Sequence, residues 1–532
     1  MIRPREHPAL ERGASSAPSP DVASPSHTAS RPHTATRGIS FALMCALVVL
    51  APIALRVLVM PVAPHDFWWH MAQGRAIVGL GRVPVVDSFS WTRAGQPFFD
   101  QSWLAQVFFY VLHVWGGVPL VVFAQTVCVV ACYGMVLWLA VRRSGNARLA
   151  ALLLLVGVVP MSLDNWQIRP QTFALPLFAS TLLIVTAYRL RWFNLLPALP
   201  VLLALWVNMH GGFEQGLALL VVTLLGEVVR RALSSRTTAQ AENNSPLTWR
   251  ECGHLALWSA LSFAATLLNP RGLHVYYYVH DVLRHPSTQF SGEWGRPTLG
   301  EFTGAWFWGM VALSLALLAW RRPKLPLTDW LLVAPFLLVA LISGRSIMWF
   351  ALVALPFLSL ALSQPHMGAT VPSEAPPTRA QSVMNGTLVA LVWLPVLLLL
   401  PWWKASVGLP PPMGALLDPQ TPVGAVNFLN YLPLARRPHR LYHSEGAGSY
   451  LCWALHQPKV WIDTRFELYP PQQWRDAIAF KNARDVDTLL AKYRFDAALL
   501  EARNAPLRKA LQKRGWRVTF KDANTVLLQV GS

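Results

Sequence analysis

The chain has 532 residues, of which 54% are hydrophobic and only 13% charged. That charged share is about half the roughly 25% of soluble domains, and together with long apolar runs it excludes a soluble globular chain in favour of an integral, multi-pass membrane protein. The formal charge of +19, from 45 Lys and Arg against 26 Asp and Glu, would suit nucleic acid. No basic tract with interleaved aromatics supports that partner, and the excess reads as basic cytoplasmic loops facing anionic lipid. Five cysteines show neither a CxxC pair nor metal-ligand spacing, so no disulfide framework or cysteine metal site is expected.

Residues 1–39, rich in Ser, Pro, Ala, Thr and Arg, read as a disordered cytoplasmic tail. A first span at about 39–60 follows; the tail is too long for a signal peptide's charged region, so the span is retained. Further spans are expected at about 118–141, 149–163, 172–188, 193–207, 215–229, 255–268, 303–320, 327–342, 347–362 and 387–403, eleven in all. A partly buried segment, 104–114, leads into the second of them. The basic pairs Arg142-Arg143, Arg230-Arg231 and Arg321-Arg322, with Arg189 and Arg191, fall on alternate loops, which makes those loops cytoplasmic and the C-terminus external.

The other loops face outward under this count. They hold Asp66, His70, Arg169, Asn208, His210, Glu214, Asn269, Arg271, Glu293 and Arg345. An ionisable group near the bilayer centre costs at least ~2.5–3.5 kcal/mol, so such groups normally face a cavity or a ligand. Their convergence on one side implies a polar chamber there.

The first outward loop, 61–103, organises the rest. Asp66 and His70 lie one helical turn apart and share a face. Trp68 and Trp69 between them favour the boundary of headgroups and water, and Arg75, Arg82 and Arg93 follow, the first two as headgroup anchors. The arrangement suits either a reaction centre at the membrane surface or an interfacial helix whose polar face meets water. A second large loop, 269–302, turns at Asn269-Pro270 and carries Tyr276-Tyr277-Tyr278 at helical spacing. It reads equally as an interfacial lid and as a substrate contact.

Residues 404–532 regain ordinary charge density and form a soluble external domain. Strands are expected at 440–443, 459–463, 495–500, 517–521 and 525–530, and helices at 448–455, 471–480, 486–493 and 505–514, a small α/β domain. Asp463, ending an apolar strand and followed by Arg465, sits where open α/β sheets place ligands. The turn from Ser444 to Ser449 lacks phosphate-loop spacing and reads as a tight strand-to-helix connection.

No HExxH, GxSxG or ATP-binding loop occurs. The run Asp66-Phe67-Trp68-Trp69-His70, with Ile168-Arg169-Pro170-Gln171, Trp206 to Gly211, Asn269-Pro270-Arg271-Gly272, Glu293-Trp294, Ser343-Gly344-Arg345 and Ile462 to Arg465, resembles the GT-C superfamily of polytopic glycosyltransferases over most of 40–532. The chain carries a single acid in its first motif, and it lacks the WWD element of oligosaccharyltransferases, which puts transfer to asparagine in doubt.

The resemblance implies inverting transfer of a sugar from a polyprenyl-phosphate donor to a glycan, lipid or protein acceptor at the outer face of a bacterial-type membrane. Asp66 would be the general base or the ligand of a divalent ion, Mg or Mn, with Glu293 assisting it or sharing that ion. Arg169, Arg271 and Arg345 would bind the leaving phosphate. His70, Asn208 and His210 would orient these groups or bind the sugar, or serve as structural hydrogen-bond partners. Asp463 and Arg465 complete the expected substrate-binding set. A transporter or flippase for a lipid-linked saccharide, or an inactive assembly partner, are the alternatives, although no internal repeat of the transporter kind is visible.

Overall fold

The computed structural model describes residues 38–234, 245–290, 292–364, 377–455 and 457–531. The tail expected at 1–39 lies almost wholly outside them, as do parts of the loops before 249 and before 379.

The described residues from 38 to about 400 are mainly helical. Ser40 accepts from the Leu43 N–H and starts α1 (Phe41–Val59). The first loop then folds into α2 (Asp66–Leu80), with Asp66 in the first turn, where the helix dipole favours a carboxylate. A single helix, α3 (Trp103–Ser144), joins the expected partly buried segment to the second span. It breaks where the chain reads Gly116-Gly117, because Gly117 takes φ 65° just ahead of Pro119.

The next stretch, Ala147–Asn165, runs through α4 (Ala147–Leu152) and a π-turn into α5 (Val159–Ser162). It is followed by α6 (Gln171–Arg189), α7 (Leu199–Met209), α8 (Phe213–Leu233) and α9 (Trp249–Ala265). The aromatic run forms α10 (His274–Arg284), and then come α11 (Phe302–Arg321), α12 (Leu327–Ile342), α13 (Ile347–Ser363) and α14 (Arg379–Leu398). Reciprocal capping boxes, Thr248 with Glu251 and Thr378 with Gln381, start α9 and α14.

Among the described residues, seven helices are long and apolar enough to cross a membrane, which makes this an integral membrane protein. The other four expected spans fall on α7, α8, α9 and α12.

The bundle has two polar ends. At one, Arg143 and Arg189, the C-terminal residues of α3 and α6, meet Asp329 of α12 at 2.8 and 2.6 Å. At the other stand Arg169, just before α6, and Arg345, just before α13. Since α6 has 19 residues, about 28 Å of helix separates Arg189 from Arg169. The charged groups have sorted to opposite ends of the same helices.

The C-terminal part holds α15 (Val423–Tyr431), β1 (Leu441–Tyr442), α16 (Glu445–Ala454), α17 (Pro471–Lys481), α18 (Val486–Tyr493), β2 (Ala497–Glu501), α19 (Ala505–Gln512), β3 (Trp516–Lys521) and β4 (Thr525–Val530). Its sheet order is β1-β2-β4-β3, with β1 and β2 parallel and the other pairs antiparallel. The Ser444 turn is a strand-to-helix connection, as expected: its hydroxyl accepts from Ala447 N–H and caps α16.

Two expectations are corrected here. The strand expected at 459–463 does not join the sheet. Val460 pairs instead with the first loop, its N–H donating to Phe89 O at 3.1 Å and its carbonyl accepting from Trp91 N–H at 2.9 Å. Asp463 and Arg465 consequently do not line a ligand site at the end of a strand. They form a buried network in which Arg465 pairs with Asp463 at 2.6 Å and with Asp87 of the first loop at 2.7 Å, both acids having fully buried side chains. Tyr469 donates to Asp463 at 2.8 Å.

Trp68 and Trp69 do not sit in a headgroup zone either. They are 2% and 8% exposed, and Trp68 packs edge-on against Tyr450 of α16. Arg75, expected as a headgroup anchor, donates to Trp453 O at 3.0 Å and lies over that indole. One apolar core thus runs from α2 into the C-terminal domain.

A buried ion pair that loses one partner strands the other charge, at about 3–5 kcal/mol. Arg465→Met, leaving Asp87 and Asp463 uncompensated, is expected to cost stability of that order, read as a lowered melting temperature of the detergent-solubilised protein. A melting temperature unchanged from wild type would show that the network does not hold the domain in place.

Candidate functional site: an arginine between two carboxylates

The site assembles at helix ends. Asp66 opens α2; Arg169 stands in the turn before α6, its backbone N–H turned to the Thr172 hydroxyl. Glu293 lies in a single 3-10 turn, Gly292–Trp294, and Arg345 in another, Gly344–Ser346. The Gly344 N–H donates to Gly295 O at 2.8 Å and locks these two turns together. Segments far apart in sequence therefore deliver four charged groups to one place.

Arg169 is the hub. Its two terminal nitrogens each bond one oxygen of Glu293 at 2.7 Å, a bidentate fork, and its Nε approaches Asp66 Oδ2 at 3.3 Å. Gln167 accepts from it at 2.8 Å. Burial works against its charge, yet the two carboxylates hold its pKa above the ordinary guanidinium value. Glu293 mirrors this: burial favours its neutral form, but the Arg169 hydrogen bonds and charge win and leave its pKa lowered. Arg345 lies in the field of Glu293, Arg169 and Asp66, with its guanidinium 5.0 Å from the Trp294 ring centre.

Both expected histidines lie beside this cluster. His70 is buried against Trp69, ring centres 3.6 Å apart, and faces the Gln106 amide at 3.1 Å through Nδ1. Burial, with Arg169 nearby, drives its pKa well down. His210 accepts from the Gly212 N–H at 2.9 Å, and burial followed by the Arg345 charge lowers its pKa to about 3. Both imidazoles are neutral at physiological pH, positioned to orient or accept rather than to carry charge.

Asn208 acts as a clasp: it takes the Trp103 indole N–H at 2.8 Å and donates to Ala204 O and Leu268 O, tying α7 to α3 and to the end of α9. Arg271 is exposed, its guanidinium 4.9 Å from the Phe99 ring centre. Asp463 and Arg465 are interior, as described.

Three further groups enter the site that the motifs did not single out. Asp100 accepts from Gln106 at 2.7 Å, so that Gln106 bridges Asp100 and His70, and its Oδ2 is buried without a partner. Glu467, from the C-terminal domain, accepts from Tyr278 of α10 at 3.0 Å and lies in the field of Arg345. No spacing rule marks any of them, because the contacts that bring them in, from 6 residues apart for Gln106 and Asp100 to 189 for Tyr278 and Glu467, follow no fixed period.

The carboxylates expected on a divalent ion, Asp66 and Glu293, are hard oxygen donors of the right type. As placed, both turn to the Arg169 guanidinium, which fills the position between them. Among the described residues no three His, Cys, Asp or Glu side chains gather around one point. The donor set in this arrangement does not fit a metal ion.

Fold and site together define a polytopic helical membrane protein with a cluster of four charged side chains at one end of its bundle and a small α/β domain packed on α2. No protein-family model matches the chain, and no curated protein matches it. Among solved structures it is similar to the archaeal oligosaccharyltransferase AglB from Archaeoglobus fulgidus in complex with an inhibitory peptide and a dolichol-phosphate. The two are 12% identical with a TM-score of 0.43, covering 92% of this chain and 74% of that one. A likeness at that level decides nothing about chemistry, which rests on the residues above.

Burial pushes the Asp100 carboxyl up to about 7. An unfolded aspartate titrates near 3.9, so between about pH 4 and 7 the folded protein keeps a proton that the unfolded chain has released. Stability contributed by this group therefore falls as pH rises through that window, by about 4 kcal/mol in all. Asp100→Asn is expected to flatten the melting-temperature profile between those limits. An equally steep profile in the variant would place the titration elsewhere.

Proposed function

We propose that the protein is a GT-C-like membrane glycosyltransferase that moves a sugar from a polyprenyl-phosphate donor to an acceptor hydroxyl at the external face, with inversion. The observation that carries the reading is the Asp66–Arg169–Glu293 bridge with Arg345 beside it. One carboxylate at a helix N-terminus and two guanidiniums in a half-sheltered chamber are what such a transfer requires.

In this reading the eleven helices all span the bilayer, with the N-terminus inside, and the charged chamber opens outward beneath the domain 404–532. The donor's phosphate competes with the two carboxylates for Arg169 and Arg345, since guanidinium accepts phosphate oxygens as readily as carboxylate oxygens. As Arg169 turns to the phosphate, Asp66 loses its partner and becomes free to accept a proton. The acceptor oxygen attacks the anomeric carbon from the face opposite the phosphate, its proton passing to Asp66. The bond from that carbon to the phosphate oxygen breaks, and its electron pair leaves with the polyprenyl phosphate, whose charge the arginines hold. Glu293 steers Arg169, and neutral His70 and His210 keep the walls uncharged. No step passes through a metal ion.

Purified wild type is expected to transfer sugar from a polyprenyl-phosphate donor, with Asp66→Asn slower by roughly 10²–10⁴-fold, the usual share of a general base. Arg345→Ala is expected to lose roughly 10²–10³-fold, as for a lost oxyanion donor. Wild type that carries lipid-linked sugar across vesicles without transferring it would instead make the protein a transporter.

Orientation has its own test. The native cysteines are at most partly exposed, so an introduced thiol is labelled selectively. In intact cells a membrane-impermeant maleimide should modify Ala94→Cys in the first loop and spare Ala232→Cys at the end of α8. The reverse pattern would invert the topology.

A further inference from the structure

Two adjoining cavities are lined by none of the four charged residues of the bridge, Asp66, Arg169, Glu293 and Arg345. The inner one, about 270 Å³, is lined by Asp100, Gln101, Trp103 and Asn208 among others; the outer one, about 540 Å³ and more open, by His274, Tyr277 and Asp281. Phe99, Pro270 and Arg271 line both, so the two form one groove that passes over the Phe99 ring.

Its chemistry is consistent along its length. Phe99 stacks on Tyr278 with ring centres 4.3 Å apart and planes 13° from parallel, a rigid aromatic platform. Tyr277 is 69% exposed at the mouth, an aromatic surface that the fold leaves uncovered. At the inner end Asp100, only 7% exposed, has an oxygen without a partner. Gln101 spends its amide N–H on Val207 O at 2.6 Å, and among the described residues nothing donates to its oxygen. Arg271 makes no ion pair among the described residues. Aromatic faces cover the apolar face of a pyranose ring, while unspent carboxyl, amide and guanidinium groups match its hydroxyls. An unpartnered buried oxygen is costly unless something hydrogen-bonds it.

We propose that this groove is the acceptor site of the transferase and that the acceptor is a saccharide, packed along the edge of Phe99 toward the exposed Tyr277, with its hydroxyls at Asp100, Gln101 and Arg271. The proposal rests on the transferase reading and names its second substrate. What favours acceptor over donor sugar is that neither Arg169 nor Arg345, the cations assigned to the donor's phosphate, lines the groove, while hydrogen bonds tie it to the helix of the base, Gln106 joining Asp100 to His70 one turn after Asp66.

The test is binding of the purified full-length protein, in detergent, to an array of immobilised mono- to hexasaccharides. Wild type and Asp66→Asn should retain the same subset of glycans, while Phe99→Ala and Arg271→Ala lose it by roughly 10-fold or more, as for a lost stacking or guanidinium contact. Arg271 is exposed, so its variant folds even if loss of the Phe99 platform disturbs α10. Adding a polyprenyl-phosphate sugar should leave the retained glycans in place. No glycan held by wild type, or equal retention by the Arg271 variant, would overturn the assignment. Displacement by the donor would make the groove a donor-sugar site and overturn it as well. Absence of transfer in the assay of the preceding section, with glycans still bound through Phe99 and Arg271, would sink the transferase and spare the saccharide site.

Discussion

A guanidinium clamped between two carboxylates governs the end of the bundle that matters. Arg169 has only 16% of its side chain exposed, so water screens it weakly and the protein must supply its counter-charge. Asp66 and Glu293 do so from opposite sides, and in doing so they bind the start of α2, the turn before α6 and the loop after α10 into one rigid rim. With Arg345 added, two acids face two bases. A balanced cluster of this kind is stable when empty and remains responsive, since an arriving anion competes for cations already held by carboxylates.

The second constraint is the buried Arg465, shared by Asp463 and Asp87. It is the electrostatic half of a joint whose apolar half is the core running from α2 into the C-terminal domain. The backbone adds a third element, because Val62 pairs with Leu417 and Ser90 with Val460 across the two parts. The domain is consequently a roof and not an appendage. It lowers Glu467 toward Arg345 and Tyr278, and it sets the height of the groove over Phe99. The role expected of Asp463 and Arg465, substrate contact, gives way to that of holding the roof in register.

Much of the membrane part was legible because its signals are local. Apolar runs marked the long helices, seven of which are long and apolar enough to cross a membrane among the described residues, whereas the break in α3 at Gly117, with φ 65°, went unread in the sequence. The segment 459–463 misled for an equally physical reason. An alternating apolar stretch bonds as well to a loop from elsewhere as to its own sheet, and the first loop reached it. Trp68 and Trp69 belong to a residue type at home in both a headgroup zone and a core, and only the domain packed upon them decides which. Arg271 was grouped with the phosphate arginines by its charge; in the fold its guanidinium lies over Phe99.

What the sequence by itself determined is the class of protein, the separation of charged groups into two sets on alternate loops, and the membership of Asp66, Arg169, Glu293 and Arg345 in one of those sets. Hydropathy and loop charge act along the chain, so they need no partner to be read. What only the tertiary structure decided is who pairs with whom. Arg169 takes both acids, Arg465 is spent on Asp87, and Asp100 is left with an idle oxygen beside an aromatic floor, because contacts between residues more than a hundred positions apart depend on how helices of fixed length happen to cross.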